Sequence, residues 1–185
     1  SSNRLAAAHV LVVGLGGVGS WTVEALARSG IGALTLIDGD DVCVSNVNRQ
    51  LHALDGTIGR RKVEVMAERL RLVHPTGTVS ARVEFYNPDS SEALLGEAPD
   101  YVVDAIDNVA AKMHLIATCV RERLRLVSAM GAAARLDPTA VRVADLCDTR
   151  VDPFARDLRK NLRRKHDLDC TKPTGVWAVY SEELP

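Results

Sequence analysis

The feature that most restricts how this chain can fold is Gly14-Leu15-Gly16-Gly17-Val18-Gly19, set between an apolar run and a helical stretch. The run before it, residues 9–13, reads His-Val-Leu-Val-Val and has the continuous apolar character of a strand buried on both faces. The stretch after it predicts a helix to about residue 29, with Trp21, Val23, Ala25 and Leu26 in its apolar content and Gly30 and Gly32 closing it. Without side chains at Gly14 and Gly16, backbone amides of such a turn can approach a phosphate, and the helix N-terminus adds partial positive charge. Residues 34–37 predict the next strand, ending at Asp38, where a carboxylate can accept hydrogen bonds from ribose hydroxyls. The combination points to an adenine nucleotide. The competing interpretation is a tight turn that binds nothing.

The rest of the chain continues the alternation of strand and helix. Residues 61–72 form an amphipathic helix with Val63, Met66, Ala67 and Leu70 on one face. Strands are expected at 79–85, 101–104 and 126–129, and helices from Asn87-Pro88 to near Gly96 and over 109–123. Beyond 130 the rhythm changes. Asp137-Pro138-Thr139 is a turn signal between candidate strands at 132–136 and 141–146, which predicts an antiparallel hairpin. The fold class is therefore α/β, a Rossmann-like, doubly wound, mostly parallel sheet with an antiparallel hairpin extension. We expect a single domain over residues 1–185, with abrupt termini of the kind truncation leaves; 46% apolar residues are ample for its core.

Composition removes several function classes. A net charge of −1 does not mark the whole chain as a nucleic-acid binder, and 4% aromatics leave little for single-strand stacking platforms. Cys43, Cys119, Cys147 and Cys170 are scattered without a C-x-x-C pair, which favours reduced thiols over a zinc site. No stretch is long and apolar enough to span a bilayer, and no signal-peptide pattern opens the chain, so the cytoplasm is the expected compartment.

Glycine loop and aspartate suit NAD as well as ATP; the loop at 39–58 separates the two. It carries Asp40 and Ser45-Asn46-Val47-Asn48-Arg49-Gln50 and leads to Lys62 at the head of the next helix. Arg49 offers a planar fork to phosphate oxygens, Lys62 a point charge and Asn46 an amide donor, a set able to neutralise a triphosphate as pyrophosphate departs. Asp107 and Asn108 follow the strand at 101–104. In doubly wound sheets strand carboxyl ends gather at the ligand crevice, so Asp107 can hold Mg²⁺, while one of the pair caps the following helix. A dehydrogenase would need a hydride-transfer site and substrate domain for which little chain remains.

In this order, Gly14–Gly19 with Gly14, Gly16, Gly17 and Gly19, Asp38 and Asp40, Ser45–Gln50, Lys62 and Asp107-Asn108 resemble the superfamily of ubiquitin-activating-like enzymes, which includes the ThiF- and MoeB-like activators of sulfur-carrier proteins. The resemblance implies attack of a substrate carboxylate on the α-phosphate of ATP, giving an acyl-adenylate and pyrophosphate. It implies that Asp38 holds ribose, that Asn46, Arg49 and Lys62 bind phosphates, and that Asp107 binds Mg²⁺. Asp40, Gln50 and Asn108 complete the ATP-binding set, with Arg49, Lys62 and Asp107 as its catalytic members.

Four further segments resemble the tRNA threonylcarbamoyladenosine dehydratase branch: Asp41–Val44, Val65–Arg69, Leu136–Thr139 and Asp152–Arg156. That branch implies cyclisation of the threonylcarbamoyl group of a modified adenosine in tRNA, a homodimer, and a sulfur-relay protein partner. Where members carry a cysteine before a Ser-Thr-Glu-like run, this chain has Ala178, so no thiol step is expected there. The absence of paired C-x-x-C motifs weakens the alternative, an activator of a sulfur-carrier C-terminus. An NAD-dependent oxidoreductase, or a nucleotide-binding homologue without catalysis, is the second alternative.

Residues 153–166 concentrate positive charge. Arg156, Arg159, Lys160, Arg163 and Arg164 recur at three- and four-residue spacing and would share one helix face, with Leu158 and Leu162 on another. Arg159, Lys160, Arg163 and Arg164 are the candidate tRNA contacts, following phosphates by shape. The five histidines show no metal-ligand spacing, and none is assigned a catalytic task.

Overall fold

The computed structural model describes residues 2–183, and the chain divides into two compact units, Ser1–Ile106 and Asp107–Pro185.

In the first unit α1 (Ser2–Ala7) leads into β1 (His9–Val13), α2 (Gly19–Arg28), β2 (Ala33–Ile37), α3 (Lys62–Val73), β3 (Thr78–Arg82), α4 (Pro88–Leu95) and β4 (Tyr101–Asp104). The strands lie in the order β3-β2-β1-β4 and are parallel, with Val13 beside Ile37 and Asp104, and Ile37 beside Arg82. Their carboxyl ends therefore emerge together. Leu11 and Val12 are fully buried, as a central strand covered on both faces requires. Edge strand β3 instead exposes Thr78, Ser80 and Arg82.

Helix α3 packs with the face its periodicity predicts. Val63, Met66, Ala67 and Leu70 are at most 1% exposed and join Val12, Val23, Leu34 and Leu36 in one core. Burying each larger aliphatic side chain contributes about 1.5–3 kcal/mol. Arg69 on α3 donates from Nε and Nη2 to the Glu24 carboxylate on α2, at 2.8 and 3.0 Å. Arg69, with Arg28 behind it, holds the Glu24 carboxyl below its ordinary value against the opposing effect of burial. The two helices that flank the glycine loop and the loop at 39–61 are thus fixed to each other.

The second unit contains α5 (Val109–Arg121), β5 (Leu126–Ala129), β6 (Val141–Asp145), α6 (Pro153–His166) and β7 (Val176–Ser181). Strand β7 runs parallel to β5 and antiparallel to β6. The antiparallel addition to a mostly parallel α/β arrangement is present, but its partners differ from the expected hairpin. Residues 132–136 form no strand. Ala134 has φ +58°, a left-handed conformation that extended pairing cannot pass through, and Leu136 is 89% exposed. The Asp137-Pro138-Thr139 signal is a 3-10 turn, and β6 pairs with Val-Trp-Ala-Val-Tyr-Ser further along the chain. No helix among the described residues is long and apolar enough to cross a membrane.

Candidate nucleotide site

The glycine turn is built by close backbone contacts. Gly14 has φ +91°, and its N–H donates to the Ile37 carbonyl at 2.8 Å. A Cβ on Gly14 would stand 2.6 Å from the Ala105 carbonyl oxygen, and one on Gly19 only 1.8 Å from that of Gly14. These glycines are required by the fold of the loop itself, before any ligand is considered. Helix α2 begins at Gly19, so its first amides point into the turn.

Asp38, at the end of β2, is buried and accepts from two backbone N–H groups. Leu15 donates to Oδ2 at 2.7 Å and Asp40 to Oδ1 at 2.8 Å. Its carboxylate therefore lies between the glycine turn and the start of the next loop. Asp40 accepts from Lys62 Nζ at 2.9 Å; the lysine side chain is 6% exposed and the aspartate's 54%. A second backbone link, Lys62 N–H to the Asp40 carbonyl at 3.1 Å, fixes the head of α3 to the same segment.

The loop at 45–50 folds onto the glycine turn. The Arg49 side chain runs past Gly17, whose Cβ would meet the Arg49 Cγ at 3.3 Å, and Trp21 Nε1 donates to the Arg49 carbonyl at 3.1 Å. The Arg49 guanidinium is exposed and rests on the Ser45 carbonyl and Asn48 Oδ1, both at 2.9 Å. Asn46 is buried, and its Oδ1 accepts from the Cys43 N–H at 2.9 Å, so its amide side chain shapes the loop. Gln50 is buried close to Gly16, with a buried Oε1 that has no hydrogen-bond partner. The first unit thus brings Gly14, Gly16, Gly17, Gly19, Asp38, Asp40, Asn46, Arg49, Gln50 and Lys62 into one connected set.

His52, which sequence reasoning left without a task, lies directly beyond that set. It is 1% exposed, with neither ring nitrogen hydrogen-bonded, and burial together with the nearby Lys62 charge lowers its pKa to about 4. The unfolded chain takes up this proton near pH 6.5 and the folded one only near pH 4, so stability falls as pH drops through that window. The loss attributable to His52 is on the order of 3 kcal/mol. Urea unfolding between pH 7 and 4 is expected to show a shallower acid decline for His52→Gln than for the parent. Parallel curves would overturn this.

Asp107 and Asn108 open the second unit and divide two tasks. Asn108 caps α5, its Oδ1 accepting from the Ala111 N–H at 3.0 Å. Asp107 is exposed, and among the described residues its carboxylate has no hydrogen bond or ion pair. A hard-oxygen ligand left open suits Mg²⁺, which keeps waters and shares phosphate oxygens. Among the described residues no group of three or more acidic, histidine or cysteine side chains could hold a metal ion.

Helix α6 presents Arg156, Lys160, Arg163, Arg164 and Lys165 to solvent and buries Leu158 and Leu162. Arg159 departs from the expected basic face. Its Nη1 donates to the Thr149 carbonyl at 3.1 Å and to Thr149 Oγ1, which directs the guanidinium into the unit. The four cysteines are free thiols; burial and the neighbouring Asp145 and Asp148 push Cys147 up to about 12, and Ala178 is fully buried in β7.

A model of the ThiF family matches residues 1–179. The chain belongs to the ThiF family. Among relatives of this ThiF-family chain, the tRNA threonylcarbamoyladenosine dehydratase of Haemophilus influenzae is 51% identical over 182 residues, covering 97% of this chain and 70% of the relative. The solved structure of the Escherichia coli tRNA N6-threonylcarbamoyladenosine dehydratase in complex with ATP superposes with a TM-score of 0.95 at 46% identity, covering 99% of this chain and 76% of that one. The same enzyme in complex with AMP also gives 0.95, at 47% identity and the same coverage. More distant is the molybdopterin-synthase adenylyltransferase of Salmonella typhimurium, 38% identical over 130 residues, which cover 70% of this chain and 51% of that protein. The chain spans 66–70% of the length of the curated bacterial dehydratases it matches.

Proposed function

We propose that this chain is the ATP-using core of a tRNA threonylcarbamoyladenosine dehydratase, its two units acting as one adenylation domain. The observation that supports the proposal is the connected chain of contacts in which Arg49 lies against Gly17 of the glycine turn, Asp38 accepts from Leu15 and Asp40, and Lys62 bonds Asp40, a set that suits a nucleoside triphosphate. A single related Escherichia coli enzyme, solved with ATP and with AMP, holds the two nucleotides with which adenylation begins and ends.

In this scheme a carboxylate oxygen of the threonylcarbamoyl group bonds to the α-phosphorus of ATP, and the bond from that phosphorus to the bridging oxygen breaks, releasing pyrophosphate. An atom of the same modified base then attacks the activated carbonyl and gives up its proton to solvent. AMP leaves with the original carboxylate oxygen, so the nucleoside loses one water overall. Asp38 holds the ribose, Asn46 keeps the phosphate loop in shape, and Arg49 and Lys62 offset charge developing on the departing pyrophosphate. Asp107 would hold Mg²⁺, which supplies charge neutralisation and orientation of phosphate oxygens when bound. Since the attacking atom comes from the substrate, no protein nucleophile is needed, which suits Ala178 and the inert Cys147 thiol.

Lys160, Arg163 and Lys165 on α6, exposed and without ion pairs among the described residues, are proposed to track tRNA phosphates. A homodimer, a sulfur-relay partner and a cytoplasmic setting belong to the same reading. Incubation with ATP, Mg²⁺ and threonylcarbamoylated tRNA is expected to give a nucleoside lighter by one water. Lys160→Ala, Arg163→Ala and Lys165→Ala together should weaken tRNA binding and flatten its salt dependence by about two to three phosphate contacts. Pyrophosphate release that depends on a carrier-protein C-terminus, with tRNA unchanged in mass, would favour the activator reading instead.

A further inference from the structure

The proposed site accounts for ribose and phosphates but gives the base no partner. Asp38 lies between the glycine turn and residues 39–40, accepting a hydrogen bond from each side. With ribose on Asp38 and phosphates on the glycine turn, the base projects the other way, toward Gly39. There the nearest atoms belong to the Phe85 ring. A Cβ on Gly39 would meet the Phe85 ring at 2.6 Å, so the ring lies directly against the Gly39 backbone, where a larger residue would displace it.

Phe85 is placed there by rigid elements. Strand β3 is paired in register with β2, Ile37 beside Arg82, and the Asp38 N–H donates to the Arg82 carbonyl at 3.3 Å. The turn after β3 is fastened to the head of α4. Asn87 Nδ2 and Ser90 Oγ donate to the Phe85 carbonyl, both at 3.3 Å, and the Asn87 side chain caps the helix through the N–H groups of Asp89 and Ser90. An aromatic ring so anchored is still 62% exposed. Leaving that much phenyl surface in water is unfavourable, and a flat, uncharged, polarisable ligand would remove it.

We propose that Phe85 is the base-stacking residue of the nucleotide site and takes the adenine ring of ATP on its open side. The proposal rests on the reading of this site as an ATP site and assigns a residue to the one part of the nucleotide that reading leaves uncontacted. Gly39 contributes by having no side chain, which lets the ring approach the ribose-binding aspartate. Phe85 thereby reads the presence of a base, while Arg49 and Lys62 read charge.

Calorimetric titration of the parent, Phe85→Ala and Phe85→Trp with ATP and with sodium tripolyphosphate tests this. Phe85→Ala is expected to weaken ATP about tenfold and leave tripolyphosphate unchanged, because stacking is lost and the phosphate contacts stay. Phe85→Trp is expected to restore ATP affinity and to show fluorescence quenched by ATP but not by tripolyphosphate, relative to the parent. The inference is overturned if Phe85→Ala binds ATP like the parent, or if it loses both ligands equally, which is the mark of a structural role. A parent that binds tripolyphosphate but gains nothing from the nucleoside of ATP overturns the ATP reading itself, and this assignment with it.

Discussion

Lys62→Met is expected to reduce ATP–pyrophosphate exchange by about 10²–10³-fold, the cost typical of removing a positioned group that stabilises developing charge. Methionine keeps the buried apolar stem of Lys62 and removes only the ammonium, so the core under α3 keeps its packing. The partner left behind, Asp40, has a side chain 54% exposed and can be hydrated where it stands. A half-exposed ion pair contributes about 0–1 kcal/mol, so the melting temperature should change little. Exchange rates and thermal unfolding measured on one preparation check both halves. Exchange at the parental rate would remove Lys62 from the chemistry, and a collapse in stability would make it a structural lysine.

Gly19→Ala is expected to have the largest effect on stability of any single-methyl change in the site. The added carbon would stand 1.8 Å from the Gly14 carbonyl oxygen and 2.9 Å from its carbonyl carbon. Both are backbone atoms of a turn whose own residue is left-handed and packed against Ala105, so no flexible side chain can yield. The turn must open, at a cost of about 3 kcal/mol or more, and its amides would no longer converge. Urea denaturation should show the loss, and ATP binding should disappear even where the variant is folded. A variant as stable as the parent would mean that the turn relaxes far more freely than its contacts indicate.

Much of this was legible in the chain because the signals were local. The glycine turn, Asp38 at a strand end and the Val63, Met66, Ala67, Leu70 face each follow from a period or a turn that neighbouring residues enforce. The antiparallel pair was legible only in kind. Strand β6 was visible, but its partner lies more than thirty residues downstream, and pairing over that distance leaves no mark on either segment. The Asp-Pro-Thr turn next to Ala-rich residues imitated a hairpin, and only the left-handed Ala134 shows why none forms. Arg159 fell on the basic stripe by spacing, yet a long side chain can turn toward carbonyls one layer below, as it does at Thr149. Phe85 was read only as the end of a strand expected at 79–85, whereas β3 stops at Arg82 and leaves Phe85 in the turn before α4. A single aromatic after a strand is unremarkable until Gly39 is seen beneath it.

The internal partners of the two cations bear on how fast the site can empty itself. Arg49 rests on Ser45 and Asn48, and Lys62 on Asp40, so each has somewhere to return once a phosphate departs. In the proposed site, anion capture is then an exchange of one partner for another: Lys62 returns to a carboxylate, while Arg49 returns to neutral oxygens that satisfy its N–H groups without cancelling its charge. On the proposed reading, release of the two products leaves each cation with a hydrogen-bond partner already in place.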